Sequence, residues 1–240
     1  MAWPWEVVER DHEIQDPTSP EKIQLLGEYL RLTSESRVLD IACGRGGPAL
    51  ILAATYGCRV HGVEIRPAFA EAARARAAAD GLAELVEVQT ADASEVQFEP
   101  ESWDAALCIG AGFVWGTIAD AAAALVPLVR KGGFVAIGEP FWRQWPLPEG
   151  IEKEDFVDLP ATVERFEQAG LAPTGIVAAS DDDWDHYESL HWRATEEWLA
   201  GHPDQPGAHD IRTQHNRYRS DYFRFKRALL GWAIFVGRKV

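Results

Sequence analysis

The chain has 240 residues, 47% hydrophobic and 25% charged, and carries a net charge of -15. That length suits one large α/β domain, and so acidic a surface disfavours gripping nucleic acid by its phosphates. No apolar run is long enough to span a membrane. Cys43, Cys58 and Cys108 form no CxxC pair, which points away from a disulfide framework or zinc site and toward a reducing, cytoplasmic setting.

The opening MAWPWEVVERDHEIQD lacks the basic start and apolar core of a secretion signal. It is expected to fold over the body as a lid. Ser19-Pro20 suits a helix start, with Ile23, Leu26, Tyr29 and Leu30 on its apolar face. RVLDIAC reads as a first strand, followed by a helix through Ala49 to Tyr56. RVHGVEI reads as a second strand, and Pro67 opens an alanine-rich helix that Gly81 ends. LVEVQTAD and WDAALCIG are the third and fourth strands. A helix through Ala119 to Val129 stops at Lys131-Gly132-Gly133, and FVAIGE is the fifth strand. Strands this apolar, separated by helices, predict a parallel sheet covered on both faces.

Beyond Pro140 the segment FWRQWPLPEG reads as irregular. ATVERFEQAGL follows as a helix, TGIVAAS as a sixth strand and GWAIFVGRKV as the last. A mostly helical insertion, Asp181 to Phe225, separates those two strands. Its end carries Arg212, Arg217, Arg219, Arg224, Lys226 and Arg227, read as a solvated face, with an anionic substrate as the alternative. The final strand needs the sheet to pair with, so the chain is expected to be a single domain. Its parts are a lid (1–18), a core (19–180 and 226–240) and a helical cap (181–225).

The segment VLDIACGRGG joins a strand end, a glycine turn and a helix start. Bare backbone NH groups and a helix N-terminus accept negative charge or carboxylate oxygens. Glu64 ends the second strand, where an acid accepts hydrogen bonds from both hydroxyls of a ribose. Asp92 ends the third, where it can accept from an exocyclic amino group. Gly44, Gly46 and Ala49 satisfy a loose GxGxxA, so a NAD-dependent oxidoreductase is one reading. Against it stands Asp40, whose carboxylate would repel a pyrophosphate but suits a ligand carrying an ammonium and a sulfonium, as S-adenosylmethionine does.

On these residues the chain resembles the class I S-adenosylmethionine-dependent methyltransferases. VLDIACGRGG resembles their first motif with Asp40, Gly44 and Gly46, although Gly47 directly follows and Arg45 stands between. VHGVEI with Glu64, TADA with Asp92 and CIGAG with Gly110 match further motifs, over about residues 20 to 140. GEPFWRQ, DDWDHYE and WLAGHPD resemble a bacterial subfamily of small-molecule-type methyltransferases. The resemblance implies a Rossmann-like, seven-stranded, mostly parallel sheet with an antiparallel last strand and helices on both faces. It implies S-adenosylmethionine as cofactor, bound by Asp40, Ala42, Gly44, Gly46, Glu64, Asp92, Ala93 and Gly110.

In that topology the connection before the last strand emerges at the cofactor end, which places the cap over the active site. Ser180 and Asp183 suit a capping box, and Trp184, Tyr187, His191, Ala194 and Trp198 share one helical face. Tyr187 and His191 are candidates for handling the acceptor's proton, and Glu139 for orienting an amine. Trp115, Trp142 and Trp184 are candidate walls of the acceptor pocket, with core packing as the alternative. Asp181, Asp182, Asp183 and Asp185 suit the helix dipole, and no metal site is expected. The predicted activity is methyl transfer to a small molecule, with no nucleic-acid or membrane partner. Alternatives are the oxidoreductase and a non-catalytic S-adenosylmethionine-binding module. Nothing in the sequence sets the oligomeric state.

Overall fold

The computed structural model describes residues 5–151 and 156–240; residues 1–4 of the expected lid lie outside these. A short helix α1 (Trp5–Val8) is followed by α2 (Pro20–Tyr29), where Ser19 accepts from the Lys22 NH and proline occupies the first turn. Ser19 thereby satisfies one of the orphan donors every helix start carries. Strand β1 (Arg37–Ile41) leads through the glycine turn into α3 (Gly47–Tyr56), and β2 (Arg59–Glu64) into α4 (Pro67–Ala79). Strands β3 (Val86–Thr90) and β4 (Trp103–Ile109), helix α5 (Ile118–Leu125), strand β5 (Val129–Trp142), helix α6 (Leu159–Gln168) and strand β6 (Leu171–Ala178) complete the alternation.

The strands form one sheet in the order β3-β2-β1-β4-β5-β7-β6, where β7 (Leu230–Lys239) runs antiparallel to both its neighbours. β1 is fully buried apart from Arg37, as expected for a strand with helices on both faces. Two apolar clusters fill the faces: one contains Ile23, Leu26, Leu52 and Trp142, the other Leu39, Ile41, Leu125 and Phe166.

Strand β5 is longer than the sequence suggests at both ends. It includes Lys131-Gly132-Gly133, read as a helix stop, and continues through Pro140 to Trp142. Its register against β4 ends at Ile109↔Gly138, whereas that against β7 continues to Trp142↔Leu230. Pro140 therefore sits where β5 has lost one neighbour, a position at which a missing NH breaks no ladder bond.

The cap consists of α7 (Asp181–Gly201) and α8 (Ala208–Asp221), then a π-helical turn at Tyr222–Lys226 and a last short turn into β7. Both halves of the Ser180–Asp183 capping box are formed. Asp183 also pairs with Lys22, Asp181 with Arg143, and Asp185 with Tyr222 and the forked guanidinium of Arg227. These acids are matched by hydrogen-bond donors of the body and cap. Much of the basic stretch is likewise paired, Arg212 and Arg219 with Glu196 and Arg217 with Asp221. No helix among the described residues is long and apolar enough to cross a membrane.

Candidate functional site

At the carboxyl ends of β1, β2 and β4 lies a cavity of about 400 Å³. Of the candidate cofactor residues, Asp40, Ala42, Gly44, Glu64 and Gly110 line it. Just past β1, Ala42 lies in the left-handed region (φ 54°), followed by Gly44 (φ 56°). A non-glycine residue held there is uncommon and marks a turn fixed by its surroundings. Glu64 fixes it: one carboxylate oxygen accepts from the Gly44 NH at 3.0 Å, the other from the Arg66 NH at 2.8 Å. Each carboxylate oxygen has a second lone pair, so both remain able to accept from a ligand.

Asp40 is 2% exposed, and its Oδ2 has no hydrogen-bond partner among the described residues. Burial, with the nearby Glu64 charge, pushes its carboxyl up to about 7. Asp16 lies against the same cavity, and burial plus Glu9 and Asp40 hold its carboxyl well above the usual carboxylate range. Glu9, Asp16, Asp40 and Glu64 together give this cavity four carboxyl groups. A pyrophosphate would meet repulsion from them, whereas a ligand bearing an ammonium and a sulfonium would supply the missing positive charge. The site therefore fits S-adenosylmethionine and disfavours NAD.

Gly46, Asp92 and Ala93 do not line this cavity. Gly46 is the left-handed N-cap of α3, and a Cβ there would come within 3.1 Å of the Ala73 side chain of α4, so its glycine serves helix packing. Asp92 lies just past β3, and its Oδ1 accepts from the Ser94 NH and hydroxyl at 2.9 and 2.7 Å. Ala93 packs against the core.

The N-terminal segment seats directly on the glycine turn. A Cβ at Gly44 would lie 2.1 Å from the Gln15 amide oxygen, one at Gly47 2.2 Å from the Glu13 carbonyl, and one at Gly110 1.8 Å from Asp16. The Gln15 side chain also accepts from the Arg45 NH at 2.7 Å. The glycines thus make room for the chain's own lid, whose Gln15 and Asp16 become cavity walls. Sequence reading missed these residues because their partners are backbone atoms far along the chain.

The lid is also strapped to the cap. Arg10 pairs with Glu197, Arg193 with Asp11, the His12 Nε2 with the Tyr187 carbonyl at 3.0 Å, and His191 with Glu9 at 2.8 Å. Beside this strap lies a second cavity of about 630 Å³, lined by Glu188, His191, Trp192, Thr195, His215 and Phe225 among others. Trp5 and Tyr187 line both cavities. Tyr187 thus borders both cavities, whereas His191 lines only the second.

The other candidates lie elsewhere. Trp142 is 1% exposed in the core, because β5 continues far enough to carry it under the sheet's cover. Trp184 is likewise a core residue, edge-on to Tyr187. Trp115 packs on the second apolar cluster. Glu139 sits behind the turn at Gly112, where burial pushes its carboxyl up to about 7. Neither cavity is lined by any of these four.

A methyltransferase-domain family model matches residues 38–133. The uncharacterized protein YjhP of Escherichia coli is 32% identical over 237 residues, covering 96% of this chain and 95% of its own. A crystallised S-adenosylmethionine-dependent methyltransferase from Thiobacillus denitrificans, bound to S-adenosylhomocysteine, is 32% identical with a TM-score of 0.92. That likeness covers 100% of this chain and 99% of that one. The chain belongs to the class I S-adenosylmethionine-dependent methyltransferases. A further relative of this methyltransferase, 27-O-demethylrifamycin SV methyltransferase of Amycolatopsis mediterranei, is 28% identical over 226 residues, with 89% of this chain and 81% of its own covered.

Proposed function

We propose that this methyltransferase acts on a small-molecule acceptor held in the larger, cap-side cavity. The observation carrying the reading is that Trp5 and Tyr187 line both cavities, so an acceptor in one adjoins a cofactor in the other. A volume of about 630 Å³ falls within the usual range for small-molecule sites. Its walls include the buried Thr195 Oγ1, which has no hydrogen-bond partner among the described residues and suits an acceptor with polar groups. The Amycolatopsis relative, by its name, methylates a small molecule.

In this reading the Asp40 carboxylate receives the cofactor's ammonium group, Glu64 its ribose hydroxyls, and Ala42, Gly44 and Gly110 lie alongside it. Asp92 and Ala93 contribute from the rim toward the adenine. Gly46 acts indirectly, by holding the turn. The cofactor supplies a methyl group already activated on sulfonium, so the protein's part is mainly positioning. Tyr187 and the lid exclude water between the cavities, and His191 stands where the acceptor's heteroatom must lose its proton. Trp115, Glu139, Trp142 and Trp184 support the surrounding body and do not touch the acceptor.

Turnover is tested by detecting S-adenosylhomocysteine released in the presence of three acceptor sets: hydroxyl- and amine-bearing small molecules, unfolded proteins and RNA. The proposal expects release with members of the first set alone. Release with RNA or protein and with no small molecule would overturn it.

A further inference from the structure

Where lid meets cap, three side chains converge, one of which, Glu9, also borders the cofactor cavity. Glu9 and His12, three residues apart, are 4% and 2% exposed, and His191 reaches them from α7. One Glu9 oxygen lies 2.8 Å from the His191 Nε2 and the other 3.3 Å from the His12 Nδ1. The three potential ligand atoms all lie within 4.8 Å of one another.

His12 Nε2 faces the Tyr187 carbonyl at 3.0 Å. A carbonyl only accepts, so Nε2 carries the proton, and the neutral ring presents a lone pair at Nδ1. That lone pair faces the Glu9 Oε2, and both atoms are buried without a hydrogen-bond partner. With the ring neutral, the two acceptors need a cation between them, which either a second imidazole proton or a metal ion supplies. A histidine whose remote NH is tied to a backbone carbonyl, with the other nitrogen free, has the arrangement of a metal-ligating histidine.

We propose that Glu9, His12 and His191 bind one divalent transition-metal ion. Two imidazole nitrogens and one carboxylate form a donor set suited to zinc and its first-row neighbours. Three protein ligands leave a coordination position open, as catalytic sites of this kind do. His191 lines the larger cavity and Glu9 the cofactor cavity, so the ion lies in the partition between them. Its further role, which rests on the acceptor reading above, is to take the acceptor's oxygen or nitrogen and lower its pKa. The trio then handles the acceptor's heteroatom in place of His191 as a free base. No motif spacing announces such a site, since Glu9 and His191 are 182 positions apart.

The test uses the untagged full-length protein, stripped with a chelator and titrated with Zn²⁺ against a chromophoric competitor, and separately with Co²⁺. One equivalent of Zn²⁺ is expected to bind at micromolar Kd or tighter, and one equivalent of Co²⁺ to give visible ligand-field absorption. Glu9→Gln and His191→Gln are expected to weaken Zn²⁺ at least about 10-fold, within the range for losing a ligand or its support. Circular dichroism and thermal melts on the same samples verify that each variant is folded. If a variant does not fold, the wild-type Co²⁺ spectrum decides. No stoichiometric ion in the wild type, or unchanged affinity in both folded variants, overturns the site. Because no acceptor is needed, that result leaves the small-molecule reading standing; release of product from RNA or protein alone would instead remove that reading and leave the ion.

Discussion

Gly47→Ala separates what a helix start prefers from what the lid requires. Gly47 is the first residue of α3, and its φ lies outside the left-handed region. Helix physics alone would therefore favour alanine, by up to about 1 kcal/mol. Opposing this, the new Cβ would sit 2.2 Å from the Glu13 carbonyl oxygen and 3.1 Å from the Ile14 Cα. These are backbone atoms, so no side-chain rotation relieves the contact and the lid must lift. Lifting strains or breaks the Gln15–Arg45 NH bond and the Arg76 contact to the Glu13 carbonyl. Such bonds contribute about 1 kcal/mol each, more for the charged donor, and overpacking costs about 1–3 kcal/mol. The net expectation is a loss of about 2 kcal/mol, or a Tm lower by about 4–8 °C in a protein of this size. Gly201→Ala is the control, since it lies in α7 with open space around it and should leave Tm equal or higher. The assay is thermal unfolding combined with limited proteolysis mapped to residues 5–18. A Gly47→Ala protein as stable as wild type, with the lid equally protected, would refute the claim that the glycine turn is shaped by the lid.

Glu64→Ala removes an acceptor from the Gly44 and Arg66 NH groups and from the expected ribose contact. It should weaken S-adenosylhomocysteine by about 2–4 kcal/mol in calorimetry, and Glu64→Asp should weaken it less. For Asp40, a folded-state carboxyl raised to about 7 from an ordinary value of 3.8 means the ligand-free fold holds a proton that the unfolded chain releases. Its contribution to stability is therefore fully present below about pH 4 and is lost as pH rises through about 7. Asp40→Asn should make the ligand-free protein more stable at pH 8, by at most about 4 kcal/mol, while abolishing measurable S-adenosylhomocysteine binding; denaturant melts at pH 5 and 8 check the sign. Wild-type affinity should rise with pH up to about 7, because a cationic ligand needs Asp40 ionised. Amide exchange should be faster in residues 181–225 than in β1 and β4, since a cap that admits substrate must open; equal protection would mean that the acceptor enters elsewhere.

The sheet was legible because its signals are local. β1, β2 and β4 are short, mostly apolar runs followed by glycine or ending in an acid, and that chemistry marks the ligand-facing ends. The place of the cap followed from topology, since only an antiparallel last strand brings the 181–225 connection back over the cofactor end. What stayed hidden depends on contacts between distant segments. Gly44 and Gly110 read as cofactor contacts, yet Gln15 and Asp16 stand against them, as Glu13 does against Gly47. Glu9 and His12 carried no signal, because their significance appears only when α7 delivers His191 and the Tyr187 carbonyl. Trp142 was misplaced because Pro140 reads as a strand end, and only the loss of the β4 neighbour makes it harmless there.

The most direct measurement is calorimetric titration of the purified protein with S-adenosylhomocysteine and, in parallel, with NAD. One site for S-adenosylhomocysteine, lost in Asp40→Asn and without detectable heat from NAD, is the expected result. NAD binding more tightly than S-adenosylhomocysteine, or full S-adenosylhomocysteine affinity in Asp40→Asn, would contradict the assignment of the acidic cavity to the cofactor.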